Sequence, residues 1–181
     1  MNSQRAGEKI LKAGRYIHLL ACDTWEYVRR ANCSGIVIIL AVTEDQRVVL
    51  VEQYRVPVGG PVIELPAGLV NDRPGKKHES LAAAAKRELW EETGYQARRM
   101  VKLTEGPAAS GSSSDIIVFF KAEGLRKTGE GGGDDSEAIT VHEIPLSEVP
   151  SWLRQKRRQG LHVDPKIYTG LYFLNPYNNP Q

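Results

Sequence analysis

The sequence is poor in cysteine and histidine. Only Cys22 and Cys33 occur, in no CxxC pair, so no disulfide framework is implied and a reducing cytoplasm is the expected setting. The four histidines, His18, His78, His142 and His162, are scattered without the spacing of a zinc site. No run approaches the roughly 18 apolar residues of a spanning helix, so no membrane segment is expected. The opening MNSQRAGEKILKAGRY lacks the apolar centre of a signal peptide. Net charge is slight: +2 over 181 residues gives no bulk attraction to nucleic acid, which is not an expected partner. The one basic run, RQKRRQG (154–160), follows LSEVPSWL and reads as a helix C-terminus, where the dipole favours Lys and Arg. No internal repeat is present.

With 41% hydrophobic and 25% charged residues, the chain suits a folded domain with a sizeable core. RYIHLLACDTWEYVRR reads as two short strands with a turn near Cys22 and Asp23. GIVIILAVT is a β-branched run suited to a buried strand, and RVVLVEQYR follows it after the turn EDQ. VPVGGP breaks the pattern and VIEL resumes it. PAGLVNDRPGKKH reads as a loop. A helix is expected over 79–93, rich in Ala and Leu, with Gly94 suited to a left-handed cap. Two small-residue loops follow, EGPAASGSSSD before the strand IIVFFKA and KTGEGGGDDSE before AITVHEI. LSEVPSWLRQKRRQG and DPKIYTGLYFL read as closing helices, with NPYNNPQ a frayed tail. The expected class is α/β (α+β), a mixed sandwich.

The helix ends in KRELWEETGY, where Glu88, Glu91 and Glu92 crowd the terminus that the dipole reserves for cations. At 100° per residue Leu81, Ala85, Glu88 and Glu92 share one side, so two of the acids continue the apolar stripe. A solvated acidic face would point the other way. Glu88 and Glu92, four apart, suit a hard divalent cation such as Mg²⁺. Arg87 is placed to steady Glu91 at i,i+4, and Glu79 is placed to complete the hydrogen-bond set.

The segment ESLAAAAKRELWEETGY resembles the box of the Nudix hydrolases: Glu79, then seven residues to Arg87 and Glu88, Leu89, Glu91, Glu92, Gly94 and Tyr95. One position departs. The glycine that opens the family's box, six residues before the first Glu, is Arg73 here, with Gly68 and Gly75 on either side in a longer loop. Softer similarity to the ADP-ribose pyrophosphatase and nucleoside diphosphate sugar branch runs through GRYIHL, DTWEYVRR, EQYRVPVGGPVIELPAGLV, DDSEAITV and VDPKIYTGLYFL.

The resemblance implies a Nudix fold, an α/β/α sandwich over 35–181, preceded by an antiparallel β-hairpin extension over 1–34 for dimerisation and base binding. It implies Mg²⁺, with Mn²⁺ as a substitute, held by Glu88, Glu92, Glu91 and the carbonyl of Ala67. Glu137 matches the general base; Asp115 and Glu105 are the alternatives. Arg87 and Glu91 complete the catalytic set, and Glu79 and Gly94 shape the box. Arg30 and Arg55 would hold phosphate or ribose, Tyr16 and Trp25 would stack on a purine, and Glu26 would bond its edge. Trp25 could equally be interface core, and the arginines surface ion-pair partners. The implied reaction hydrolyses the pyrophosphate bond of ADP-ribose or a related nucleotide sugar, in a homodimer with composite sites. The alternatives are another Nudix substrate, such as a dinucleoside polyphosphate or capped RNA end, and a non-catalytic nucleotide-binding regulator.

Overall fold

The computed structural model describes residues 6–72, 78–133, 138–175 and 178. The strands are β1 (Lys9–Ala13), β2 (Ile17–Cys22), β3 (Trp25–Arg30), β4 (Gly35–Ala41), β5 (Arg47–Arg55), β6 (Gly60–Glu64), β7 (Ala67–Val70), β8 (Tyr95–Pro107), β9 (Ile116–Lys127), β10 (Thr140–Pro145) and β11 (His162–Val163). The helices are α1 (Leu81–Thr93), α2 (Val149–Arg158) and α3 (Lys166–Tyr172).

Alternation along β4 explains the layering. Val37, Ile39 and Ala41 face Ala84, Ala85 and Leu89 of α1, together with Val118 and Phe120 of β9. Ile38 and Leu40 point the other way, toward Leu153 of α2, Ile167 of α3 and Ile117 and Phe119 of β9. A strand buried on both faces reads as an unbroken apolar run, as GIVIILA does. The result is a mixed α/β sandwich: β7-β4-β9-β8 and β10-β5-β6-β11 form two four-stranded sheets between helices. β4 runs parallel to β9, and β11 parallel to β6; the other pairs are antiparallel.

Several expectations need correction. The N-terminal unit is not a two-stranded hairpin but a three-stranded sheet, β1-β2-β3. A third strand supplies what a lone hairpin lacks in water. Buried Glu8, just before β1, accepts from Tyr27 Oη at 2.5 Å and from both ends of the Arg29 guanidinium, which ties the edge strand to β3. PAGLV is not loop: β7 pairs antiparallel with β4, Ala67 opposite Ile38. α1 begins at Leu81, not at 79, because Ser80 caps it and its Oγ accepts from Ala83 N at 3.2 Å. β8 extends through Pro107, taking the start of the expected EGPAASGSSSD loop. The closing helices are shorter than their sequence runs.

α1 ends as expected at Gly94, with φ 73°. The glycine is also required sterically, since a Cβ there would lie 2.0 Å from Gly129 O. The loop 128–133 closes over this terminus: Gly132 N donates to Glu92 O at 2.8 Å and Gly133 N to Glu91 O at 3.1 Å. The glycine-rich segment thus satisfies carbonyls that a helix end leaves open. The tail 176–181, apart from Asn178, lies outside the described residues.

Candidate active site on the acidic helix

The site begins with Arg87, whose side chain is 9% exposed. Its Nε and Nη2 donate to the two oxygens of Glu79, both at 3.0 Å; Nη2 also donates to Leu69 O at 3.0 Å. Nη1 donates to Glu88 at 2.8 Å and Glu91 at 3.2 Å. Hydrogen bonds to Glu79 raise the Arg87 pKa above its ordinary value, so the guanidinium is a fixed charge. Glu79 is itself fixed: its N–H donates at 2.7 Å to Asn71 Oδ1, and Asn71 Nδ2 donates to Ser34 Oγ at 2.6 Å. The box therefore works as a clamp in which one arginine orders three glutamates and the strand β7.

Glu92 is 3% exposed, and its Oε2 accepts from Ala67 N at 3.1 Å. Glu88 lies across Gly68. A Cβ at that glycine would stand 2.0 Å from Glu88 Cδ, so only glycine leaves room for the carboxylate. Burial pushes the Glu88 pKa up to about 7, outweighing the Arg87 charge that favours the anion. Among the described residues no group of three His, Cys, Asp or Glu side chains forms a ready metal cage. The donor set still fits Mg²⁺, which takes one or two carboxylates and completes its shell with water and substrate phosphate. Glu88 and Glu92 supply hard, buried oxygens, and the space kept by Gly68 is shaped for one of them.

A cleft of about 370 Å³ joins these acids to the expected anion-binding arginines. Its lining includes Glu88, Glu91 and Glu92 together with Arg30, Arg55, Ala67, Gly68 and Asp72. Arg30 ends β3, and Arg55 ends β5. An adjoining hollow of about 220 Å³ contains Tyr16, Arg30, Asn32, Cys33, Leu69 and Asp72. Trp25 is elsewhere. Cys22 pairs with Trp25, whereas Ile17 pairs with Arg30, so Tyr16 and Trp25 stand at opposite ends of the β2–β3 ladder. Within one chain they cannot sandwich one purine. Trp25 instead lines a hollow with Tyr27 and the serine-rich loop at Ser110, Gly111, Ser113 and Ser114. Glu26 is exposed, opposite Ala21.

Of the three acids considered as base, Glu105 pairs with Lys102 at 2.8 Å and does not line the cleft. Asp115 pairs with Arg30 at 3.4 Å in a neighbouring hollow. Glu137 lies outside the described residues, as do Arg73 and Gly75. Sequence reasoning had no role for Gly68 beyond its place beside Arg73, and none for Glu64 or Asp72. The Ala67–Gly68 dipeptide after a short strand was the available signal for a close side-chain approach.

The Glu88 pKa sets an expected pH dependence for the metal-free protein. A carboxyl whose folded pKa is raised contributes stability that is present below the ordinary value and lost as pH rises through about 7. A divalent cation held by Glu88 would bind the anion, so its stabilisation would grow over that window. Thermal unfolding should show a larger Mg²⁺-induced rise in Tm at about pH 8 than at about pH 5.5. An increment independent of pH would remove Glu88 from the metal site.

Residues 34–163 match the NUDIX domain family model. The chain is 35% identical to the methanol dehydrogenase activator of Bacillus methanolicus over 68% of this chain and 64% of that protein. It is 35% identical to the ADP-ribose pyrophosphatase of Bacillus subtilis over 64% and 60% of the two chains. It is 31% identical to the GDP-mannose pyrophosphatase of Yersinia pestis over 82% and 76%. The chain thus spans less than two thirds of the length of the first two relatives. An ADP compounds hydrolase crystal structure matches with a TM-score of 0.68 at 20% identity, over 94% of this chain and 90% of that one, which is a likeness of fold. Box, fold and family model agree, and the chain belongs to the Nudix family.

Proposed function

We propose that the protein hydrolyses the pyrophosphate bond of ADP-ribose or a related nucleoside diphosphate sugar, giving a nucleoside monophosphate and a sugar phosphate. One observation carries this reading: Arg30 and Arg55 share a single cleft with Glu88, Glu91 and Glu92. A diphosphate needs cationic forks for its oxygens and a carboxylate set for its counter-cation, and the cleft has both. Relatives named as ADP-ribose and GDP-mannose pyrophosphatases support the substrate class.

Glu88 and Glu92, with the Ala67 carbonyl and Glu91 beside them, would hold Mg²⁺ or Mn²⁺. Bound there, the ion offsets the diphosphate's charge and lowers the pKa of an attacking water. Arg87 keeps the glutamates in register. Arg30 and Arg55 orient the diphosphate, so that attack on one phosphorus breaks the bridging P–O bond in line. Glu137 takes the water's proton in this reading. The glycine-rich segment before it is anchored through Gly132 and Gly133 to the carbonyls of Glu92 and Glu91, which supports a base delivered to this helix.

The chain divides into an N-terminal extension over 1–34 and a Nudix domain over 35–181. It works as a homodimer in the reducing cytoplasm, consistent with two free cysteines and with no described helix long and apolar enough to cross a membrane. Tyr16 and Trp25 are 65% and 62% exposed, and Ile17 and Leu19 are exposed beside them. With the two rings at opposite ends of one ladder, a purine is stacked by Tyr16 of one protomer and the partner's Trp25, in a two-fold pair of composite sites.

A phosphatase-coupled screen over nucleotide sugars tests the proposal, with Mg²⁺ and then with EDTA. Turnover of ADP-ribose or GDP-mannose that EDTA abolishes is expected, as is a loss of kcat with near-normal KM in Glu137→Gln. No turnover of any nucleotide sugar contradicts the substrate class, and full kcat in Glu137→Gln contradicts the base. A fully active monomer in sedimentation at assay concentration contradicts the composite site.

A further inference from the structure

Arg30 and Arg55 reach the cleft from different strands, and each has an acid at its Nε, hydrogen-bonded for Arg55 and ion-paired for Arg30. Arg55 Nε donates to Glu64 Oε2 at 2.7 Å, and Arg30 Nε faces Asp115 Oδ2 at 3.4 Å. Among the described residues neither guanidinium uses its Nη groups in a hydrogen bond. A guanidinium carries five donors in a rigid fork. Gripped at Nε, it keeps its Nη pair for a ligand.

The two acids are the fixed members of these pairs. Their side chains are 12% and 16% exposed, against 38% and 40% for the arginines. Neither acid lines the cleft that holds the helix glutamates. Glu64 ends β6 opposite Val51. Asp115 closes the serine-rich loop: its carbonyl accepts from Ala108 N at 2.9 Å and its N–H donates to Ser113 Oγ at 3.1 Å. That loop is stitched to β3, with Val28 N donating to Ser112 O at 2.9 Å and Ser114 N to Val28 O at 3.0 Å. Asp115 and Arg30 therefore sit on segments locked in register.

We infer that Glu64 and Asp115 are positioning residues that hold the Arg55 and Arg30 forks ready for the substrate's bridging diphosphate. The inference rests on the pyrophosphatase reading above. It has a sign that simple electrostatics does not share. Removing an anion near a phosphate site should strengthen attraction of a polyanion. Releasing a pre-set guanidinium should weaken it, because ordering a long side chain then falls on the binding step.

The experiment uses the Mg²⁺-loaded full chain with Glu64→Gln and Asp115→Asn, both close in volume to the native residues. KM and kcat are measured for ADP-ribose, and the Kd of inorganic pyrophosphate by calorimetry. Glu64→Gln should raise KM and the pyrophosphate Kd roughly tenfold, the size of one good charged hydrogen bond, and Asp115→Asn should raise both roughly threefold, the size of an ion pair without a hydrogen bond, with kcat within about twofold in each. Glu64→Gln should add little in an Arg55→Gln background, and Asp115→Asn little in Arg30→Gln. Unchanged or tighter pyrophosphate binding overturns the inference, as do additive double variants. A fall in kcat at normal KM for Asp115→Asn also overturns it, because Asp115 would then act on the reacting atoms. If Glu64→Gln lowers Tm sharply, Asp115→Asn decides. A wild type that turns over no nucleotide sugar refutes the substrate reading, and the pyrophosphate comparison still decides this one.

Discussion

Glu92→Gln should leave a folded protein with kcat lowered by roughly 10²-fold or more, the scale for losing one preorganised electrostatic group. Glu92 is the most buried of the box acids, and the Ala67 N–H holds its Oε2 at 3.1 Å. A glutamine keeps the volume and an oxygen for that N–H. What it loses is the charge that a divalent cation would share with Glu88. Stability should change little, since the glutamine keeps the side-chain volume and the contact with Ala67 N. The measurements are kcat at saturating Mg²⁺ and Tm in EDTA. Wild-type kcat would remove Glu92 from the metal site, and a large loss of Tm would make its role structural.

Gly68→Ala should give a loss of similar character by another route. Its Cβ would stand 2.0 Å from Glu88 Cδ and 2.2 Å from Glu88 Oε1. The obstacle is the Glu88 side chain, with Cγ also only 2.3 Å away, rather than backbone, so the methyl is accommodated by turning that side chain off its Arg87 contact. In the proposed site the displaced Glu88 would no longer face the cleft as a metal ligand. Apparent Mg²⁺ affinity should fall roughly 10–100-fold, as for other changes that misplace a ligand, with Tm in EDTA near wild type. Titration of activity against Mg²⁺ reads this directly. An unshifted Mg²⁺ curve would show that Glu88 does not need the space that Gly68 provides.

What was legible in the sequence follows from where local and tertiary signals agree. The acids of α1 could be placed because Leu81, Ala85, Glu88 and Glu92 share a helical face, and Ala85 and Glu92 are indeed buried. The αL cap at Gly94 was legible because its local chemistry is strong. β1 was not, since KILKA is exposed along its whole length and carries no alternation; Glu8, Tyr27 and Arg29 hold it from outside the strand. β7 was masked by the proline before it and by Gly68, both loop signals, although its backbone pairs with β4. The placement of Tyr16 and Trp25 depends on strand register, which no composition reveals. Arg30 and Arg55 were legible as candidates, but their acids were not. Glu64 and Asp115 meet them across 9 and 85 residues of chain, by sheet pairing and loop closure rather than by spacing.

Hydrolysis in ¹⁸O-labelled water, followed by mass spectrometry of the products, tests the central claim most directly. With Mg²⁺ and ADP-ribose the account predicts AMP and ribose 5-phosphate, with one ¹⁸O atom in one of the two phosphates and none in the other, and no reaction in EDTA. Labelled inorganic phosphate as the product, or intact ADP-ribose and GDP-mannose after prolonged incubation with Mg²⁺ or Mn²⁺, would contradict it.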